Sequence, residues 1–237
     1  MKPIFLLTLR QLSSRSRLLL LILLAALPVV LAYFLTEESD FGEGFINVVI
    51  DGMIFAAILP IIMMVLATVA FGHEVEDRTL STLMLKPIPR SRIVLPKLLA
   101  SIAIGGPLVI ASGVIATLLG PEGNGQAALA VGMALFVGVV TYAALFTWLG
   151  LVTSRAVGLA VIYVFLWEGI LSTFVESIRY LSIRGYSLSL LYRIDENSYS
   201  VLSDRVLSFP PALVGAVAVT VVFFLLTVRH LRKMDVP

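Results

Sequence analysis

Long apolar stretches separated by short polar connections run through the whole chain. A bilayer core about 30 Å thick is crossed by roughly 20 helical residues, at about 1.5 Å of rise per residue. Stretches of that length cover residues 18–35, 45–71, 93–119, 126–152, 156–175 and 210–228. The pattern therefore predicts an all-α membrane protein with six transmembrane helices, in a single domain that covers residues 1–237.

Residues 1–17 precede the first span and have a mixed pattern. Phe5, Leu9 and Leu12 fall on one helical face. Gln11 and Arg15 lie opposite, which indicates an interfacial helix along the inner leaflet. A frayed basic tail is the alternative. The first span also resembles a signal-peptide core, but its apolar run continues to residue 35, so we expect it to be retained.

Basic residues are distributed unevenly between the two sides of the predicted membrane. Twelve of the 17 Lys and Arg residues lie in the N-terminal segment, the connections after the second and fourth spans, and the C-terminal segment, and Lys97, at the foot of the third span on the same side, makes thirteen. The other side carries only Arg179, Arg184, Arg193 and Arg205. The positive-inside rule therefore places both termini in the cytoplasm. Such segregation reports topology and does not indicate nucleic-acid binding.

The longest polar connection, residues 176–209, lies on the outer side. Apolar residues recur along it, including Ile183, Tyr186 and Leu191. This content is too apolar for a free loop. We expect short outer helices that dip back toward the membrane, which is permissible where protein buries their backbone.

Composition narrows the possible classes of function. The chain has 59% hydrophobic and 14% charged residues and a mean hydropathy of +1.03. A soluble core of this size could not bury so much apolar surface, so the chain must lie in the lipid bilayer. There is no cysteine and there are only two histidines, His73 and His230, in separate polar segments, so we expect no metal site and no catalytic residue. No lysine follows a glycine, so the chain has no phosphate-binding loop and does not hydrolyse ATP itself.

The predicted cytoplasmic loop, residues 72–92, is the most informative segment. Acidic residues open it and Lys86 precedes Pro87, so the charges complement the dipole of a helix over residues 77–86. An apolar stripe follows one face of that helix: Leu80, Leu83 and Met84. Because a loop this short has little core of its own, the stripe can lie against the membrane or dock into a groove on a partner.

The same loop carries a recognisable motif. The run is Glu74-x-Glu76-x-x-Thr79-Leu80, then Pro87-x-x-Arg90, and then Lys97 at the foot of the next span. This run, together with the six-span arrangement, resembles the permeases (transmembrane subunits) of ATP-binding-cassette (ABC) transporters of the type-2 exporter class. Two residues depart from the family pattern. Arg78 stands where glycine is usual, and Pro96 stands where a small residue is usual.

The resemblance implies an assembly with two copies of a cytoplasmic ABC-type ATPase, which binds ATP and Mg, and with a second permease subunit, identical or related. No cofactor is expected on this chain, and lipids surround it. A cytoplasmic coupling helix would sit in a groove of the ATPase. The residues implied in coupling are Glu74, Glu76, Arg78, Thr79, Leu80, Leu83, Met84, Lys86, Pro87 and Arg90.

The function implied is export of a hydrophobic or amphipathic cargo, such as a drug, peptide or lipid-like molecule, across the plasma membrane of a prokaryote. The main alternative is a membrane anchor or assembly subunit that couples an ATPase to a mechanical or regulatory task without moving cargo. A secondary transporter is a third option, weakened by the lack of an inverted repeat.

Two acidic residues, Asp51 and Glu168, lie inside predicted spans, at similar depths near the outer boundary. Intramembrane acids are costly, so we expect them at a subunit interface or a wet vestibule, on a translocation path or gate. The alternative is that each accepts hydrogen bonds from a neighbouring helix. Lys97 and Arg155, near inner boundaries, are expected to extend their charged ends toward water.

Overall fold

We describe the protein from a computed structural model that defines residues 2–35, 42–76, 89–121, 123–171 and 180–233. These residues form helices joined by short turns, and no strand occurs among them. The all-α fold predicted from the hydrophobic pattern is confirmed.

The helical elements follow one another closely along the chain. They are α1 (Lys2–Leu12), α2 (Arg15–Leu35), α3 (Gly42–Phe45), the π-helical α4 (Ile46–Ile58), α5 (Leu59–Glu76), α6 (Ser91–Leu119), α7 (Gly125–Val152), α8 (Ala156–Ile162), the π-helical α9 (Tyr163–Leu171), α10 (Ile183–Ile194), the 3-10 helix α11 (Ser200–Arg205) and α12 (Phe209–Lys233).

Five helices in the described part of the chain are long and apolar enough to cross a membrane. They are Arg15–Leu35, Glu43–Gly72, Ser91–Leu119, Gly125–Val152 and Phe209–Lys233. Each matches a predicted span. The predicted fifth span is the shorter apolar helix of α8 and α9, and its last residues, 172–175, lie outside the described residues. The complete six-span layout therefore remains a prediction.

The second span changes its helical register. In α4 the turns are wide, and the N–H of Leu59 donates to the carbonyl of Ile54, five residues earlier. Beyond this point α5 continues through Pro60. A second π-helical stretch, α9, ends the described part of the fifth span. Asp51 lies in α4 and Glu168 in α9, and such wide turns are frequent at functional sites.

Helix α7 is the centre of the bundle and packs against α5, α6, α10 and α12. Glycines permit the closest approach. A Cβ atom on Gly150 would lie 2.2 Å from the carbonyl oxygen of Thr68 in α5, so the two helices cross nearly backbone to backbone. Small residues at helix crossings are typical of membrane bundles, where close packing replaces the hydrophobic effect between helices.

One end of the bundle, which we call the basic end, carries Arg155, Arg229 and Lys233. An apolar cluster closes it. Its members come from α5, α6, α7 and α12 and are Phe71, Ile93, Val94, Leu151, Val228 and Leu231, with Ile4 of α1 packed against them. Both terminal helices and both flanks of residues 77–88 therefore meet at the basic end.

Helix α1 packs against α6. Its interior face carries Thr8 and Leu12, which are 0% and 1% exposed. Leu6 and Leu7 point away from the bundle and are 61% and 56% exposed. The helix itself is confirmed, and Leu12, on its predicted apolar face, packs into the interior of the bundle. Its placement along the inner leaflet stays a prediction.

Candidate functional site

Lys97 lies in the second turn of α6, one of the most buried side chains of the bundle at 1% exposure. Its ammonium group donates to the backbone carbonyl of Ala70 and to Glu74 Oε2 at 2.5 Å, and it lies 4.5 Å from the centre of the Phe71 ring. The expectation that Lys97 reaches toward water is wrong. Its four-carbon stem runs between α5 and α6 instead, where the end of α5 supplies every one of these contacts.

The Glu74–Lys97 ion pair joins the last turns of α5 to the first turns of α6. Glu74 is 12% exposed on its side chain, so the pair is largely shielded from water. Breaking a buried pair by removing one partner is strongly destabilising, because it leaves a charge without compensation. The first and last residues of the sequence motif therefore hold together the two helices that flank residues 77–88.

Most other residues of the predicted coupling segment lie outside the described residues. They are Arg78, Thr79, Leu80, Leu83, Met84, Lys86 and Pro87. Glu76 is the last residue of α5, and its side chain is likewise outside the described part. Arg90 is the residue before α6, and its carbonyl accepts from the N–H groups of Ile93 and Val94. A helical form of the segment remains a prediction.

Asp51 faces the interior of the bundle from α4 and is 1% exposed. Its Oδ1 accepts two hydrogen bonds from Arg184, from Nε at 2.9 Å and from a terminal guanidinium nitrogen at 2.6 Å. Its Oδ2 accepts one from Arg205 at 2.9 Å. The carboxylate is thus neutralised by two guanidinium groups from the connection between the fifth and sixth predicted spans.

Glu168 is equally enclosed, at 2% exposure. Its Oε1 accepts from the Tyr163 hydroxyl at 3.0 Å and from the backbone N–H of Ile183 at 2.8 Å, while Oε2 accepts from the Ser182 hydroxyl at 2.5 Å. The Ser182 oxygen also caps α10 by accepting from the N–H of Gly185 at 3.0 Å. A carboxylate at the start of α10 also suits the positive end of the helix dipole.

Helix α10 enters the bundle deeply. A Cβ atom on Gly138 would lie 2.8 Å from the Ser187 hydroxyl oxygen. Gly138 is 13 residues from Gly125, the first residue of α7, a distance of about 20 Å along the helix. Farther along the chain, the Tyr199 hydroxyl donates to the carbonyl of Ala127 at 3.4 Å, and burial raises the pKa of this phenol, so it remains a neutral donor. The connection therefore rises from the interior to the end opposite the basic end.

The two acids, Asp51 and Glu168, lie at one level, because they bind the adjacent residues Arg184 and Ile183. Their partners within the chain fit the alternative in which each accepts hydrogen bonds from a neighbouring segment. A role in gating stays a prediction. The sequence did not reveal that Arg184 and Arg205 are the partners of Asp51. A signal was present, since both are among the four basic residues on the predicted outer side.

Among the residues that the structure describes, no three His, Asp or Glu side chains are grouped as metal ligands. Several buried polar groups have hydrogen-bond partners within the protein. Ser112 of α6, for example, donates to the carbonyl of Ala25 in α2 at 2.5 Å. The polar features with the strongest geometry are thus the Glu74–Lys97 pair and the two acids that hold α10.

Comparison with known proteins identifies a family. The family model described as "ABC-2 family transporter protein" matches residues 8–236, nearly the whole chain. No curated protein and no solved structure matches the chain. This family comprises membrane components of ABC transport systems that associate with an ABC ATPase subunit and lack the ATPase site themselves. The chain therefore belongs to the ABC-2 transporter family, as the resemblance of its loop motif and span pattern led us to expect.

Proposed function

We propose that this chain is the permease subunit of an ATP-driven exporter, which moves a hydrophobic or amphipathic cargo out of the cell. Two ATPase subunits at the basic end supply the energy, and a second permease subunit completes the path. The basic end then faces the cytoplasm, with both termini, in the plasma membrane of a prokaryote. In this arrangement α8 and α9 form the fifth of six spans.

The observation that carries the proposal is the Glu74–Lys97 ion pair. It binds the end of α5 to the start of α6 beside residues 77–88. A force applied to that segment by an ATPase acts on both helices together, because neither can move away without exposing a buried charge. The predicted coupling residues, from Glu74 to Arg90, supply the docking surface in this proposal.

A continuous packing route leads from this pair to the opposite end. Helix α5 crosses α7 at Thr68 and Gly150, and α7 packs in turn against α10. Asp51 and Glu168 hold the start of α10. A movement of α5 and α7 therefore displaces α10 inside the bundle. In this proposal Asp51 and Glu168 set the position of α10, which forms the outer gate.

The test uses the chain purified with its ATPase and reconstituted in lipid vesicles. A fluorescent hydrophobic dye serves as cargo, and dye release and ATP hydrolysis are measured together. We expect the dye to stimulate ATP hydrolysis and to cross the membrane. Lys97→Met should keep the ATPase bound but reduce stimulated hydrolysis by about tenfold, since transmission through the buried Glu74–Lys97 pair is lost.

Arg155→Gln is the matched control, because Arg155 is an exposed basic residue at the same end. It should behave as the parent chain does. If no ATPase is retained with the parent chain, the coupling assignment is wrong. If the chain changes the rate of ATP hydrolysis but no hydrophobic or amphipathic dye crosses the membrane, the alternative of a membrane anchor replaces the exporter.

A further inference from the structure

An apolar groove lies on the outside of the bundle between α6, α7 and α12. Its volume is about 730 Å³, within the range of roughly 300–1,000 Å³ that suits small-molecule ligands. Its lining includes Ile110 and Val114 of α6, Gly132 and Phe136 of α7, and Leu213 of α12. A narrower continuation of about 180 Å³ follows α7 and α12 farther, to Thr141 and Thr220.

A polar pocket of about 400 Å³ adjoins the groove at the end opposite the basic end. Phe209 lines both, so the two adjoin at this side chain. The polar pocket is also lined by Ser189, Tyr192, Arg193 and Glu196. The guanidinium of Arg193 and the carboxylate of Glu196 are 2.9 Å apart, and their side chains are 62% and 51% exposed. A positive and a negative group thus stand together at the mouth of an apolar channel.

The dimensions match one leaflet of a bilayer. On α7 the groove runs from Gly125 to Val137, a distance of about 18 Å, while half of the hydrocarbon core measures about 15 Å. A chain lying in the groove from the level of Val137 therefore reaches the lipid headgroup region at the level of the polar pocket.

We infer that this surface binds one phospholipid of the outer leaflet whose headgroup carries both a phosphate and an ammonium group. An acyl chain fills the groove past Leu213. Arg193 binds the phosphate, for which a planar guanidinium is well suited, and Glu196 accepts from the ammonium group. A second copy of this chain would cover the apolar groove but would not require opposite charges at one end of it. The choice of the outer leaflet rests on the orientation proposed above, whereas lipid binding itself does not depend on cargo export.

Native mass spectrometry of the full chain, together with its co-purifying subunits, tests the inference. Dioleoyl phosphatidylethanolamine and dioleoyl phosphatidylglycerol are added separately in detergent. We expect one tightly bound phosphatidylethanolamine and weaker binding of phosphatidylglycerol, which lacks the ammonium group. Losing a charge-assisted hydrogen bond weakens binding by about tenfold or more.

Two sets of variants locate the site. Leu213→Trp fills the groove and should abolish the bound lipid, while Val214→Trp, at a neighbouring position that is 67% exposed and outside the groove, should not. The exchange variant R193E/E196R keeps an ion pair but reverses its direction, and it should also lose the preference for phosphatidylethanolamine. The inference is overturned if both lipids bind equally, if the two Trp variants behave alike, or if Leu213→Trp separates two copies of the chain without changing the lipid count.

Discussion

The buried carboxylate of Asp51 offers the sharpest stability test. Asp51→Asn preserves the shape of the side chain and removes the charge that faces Arg184 and Arg205. Removing one partner of a buried ion pair costs about 3–5 kcal/mol. Arg205 is 51% exposed, so its share is below about 1 kcal/mol. The Arg184 side chain is 18% exposed and gains some hydration after the change, which places the total near the lower limit, at about 3 kcal/mol.

In a chain of 237 residues this loss lowers the melting temperature by about 6–12 °C. Thermal unfolding in detergent, followed by the loss of the monodisperse peak in size-exclusion chromatography, measures it. Arg205→Gln is the control and should lower the melting temperature by less than about 4 °C. The double variant D51N/R184Q should recover part of the loss, because the guanidinium of Arg184, the less exposed of the two, no longer faces a neutral side chain.

Two outcomes would refute this reasoning. One is a melting temperature of Asp51→Asn within about 2 °C of the parent, which would mean that Arg184 finds full compensation elsewhere. The other is a double variant whose loss equals the sum of the two single losses, since additivity excludes an energetic link between the residues.

The same unfolding assay tests three other contacts. Gly150→Ala should cost about 1–3 kcal/mol because its Cβ meets the backbone of Thr68, whereas Gly158→Ala, with open space around it, should be neutral or slightly stabilising; equal melting temperatures would contradict the close helix crossing. Ser112→Ala removes one interhelical hydrogen bond and should cost about 0.6 kcal/mol, and a loss above about 2 kcal/mol would show a larger role. Glu168→Gln keeps an acceptor for the start of α10 and should be mild, while Glu168→Leu leaves the bundle with unpaired donors at about 1–3 kcal/mol each; hydrogen exchange of α10 amides should rise in Glu168→Leu alone.

The spans were predictable because hydropathy reports on each segment separately. The bounds of α6 and α7 agree with the predicted spans within two residues, since polar turns at residues 120–124 interrupt the apolar pattern sharply. Helix α12 extends five residues beyond its predicted end. Its last turn carries His230, Arg232 and Lys233. Their low hydropathy ended the predicted span early, but basic side chains stabilise the negative end of a helix dipole.

Pairings between distant residues could not be predicted from one sequence. Asp51 and Arg184 are separated by 133 positions, and nothing in either segment specifies the other. Glu168 accepts from a backbone N–H, a donor that every residue except proline carries, so no residue type marks it. Lys97 has the sequence signature of a side chain at a membrane boundary. Only the position of Glu74 on the adjacent helix keeps its charge inside.

The apolar cluster at the basic end also constrains the order in which the protein can be assembled. It joins Ile4 of α1 to Val228 and Leu231 of α12, so it contains residues from helices that are far apart in the order of synthesis. While the chain is still being made, Phe71, Ile93 and Leu151 have no covering from α12. The basic end can therefore close only after α12 has entered the membrane, and a nascent chain that stops before α12 keeps an open, apolar base that a chaperone or protease can recognise.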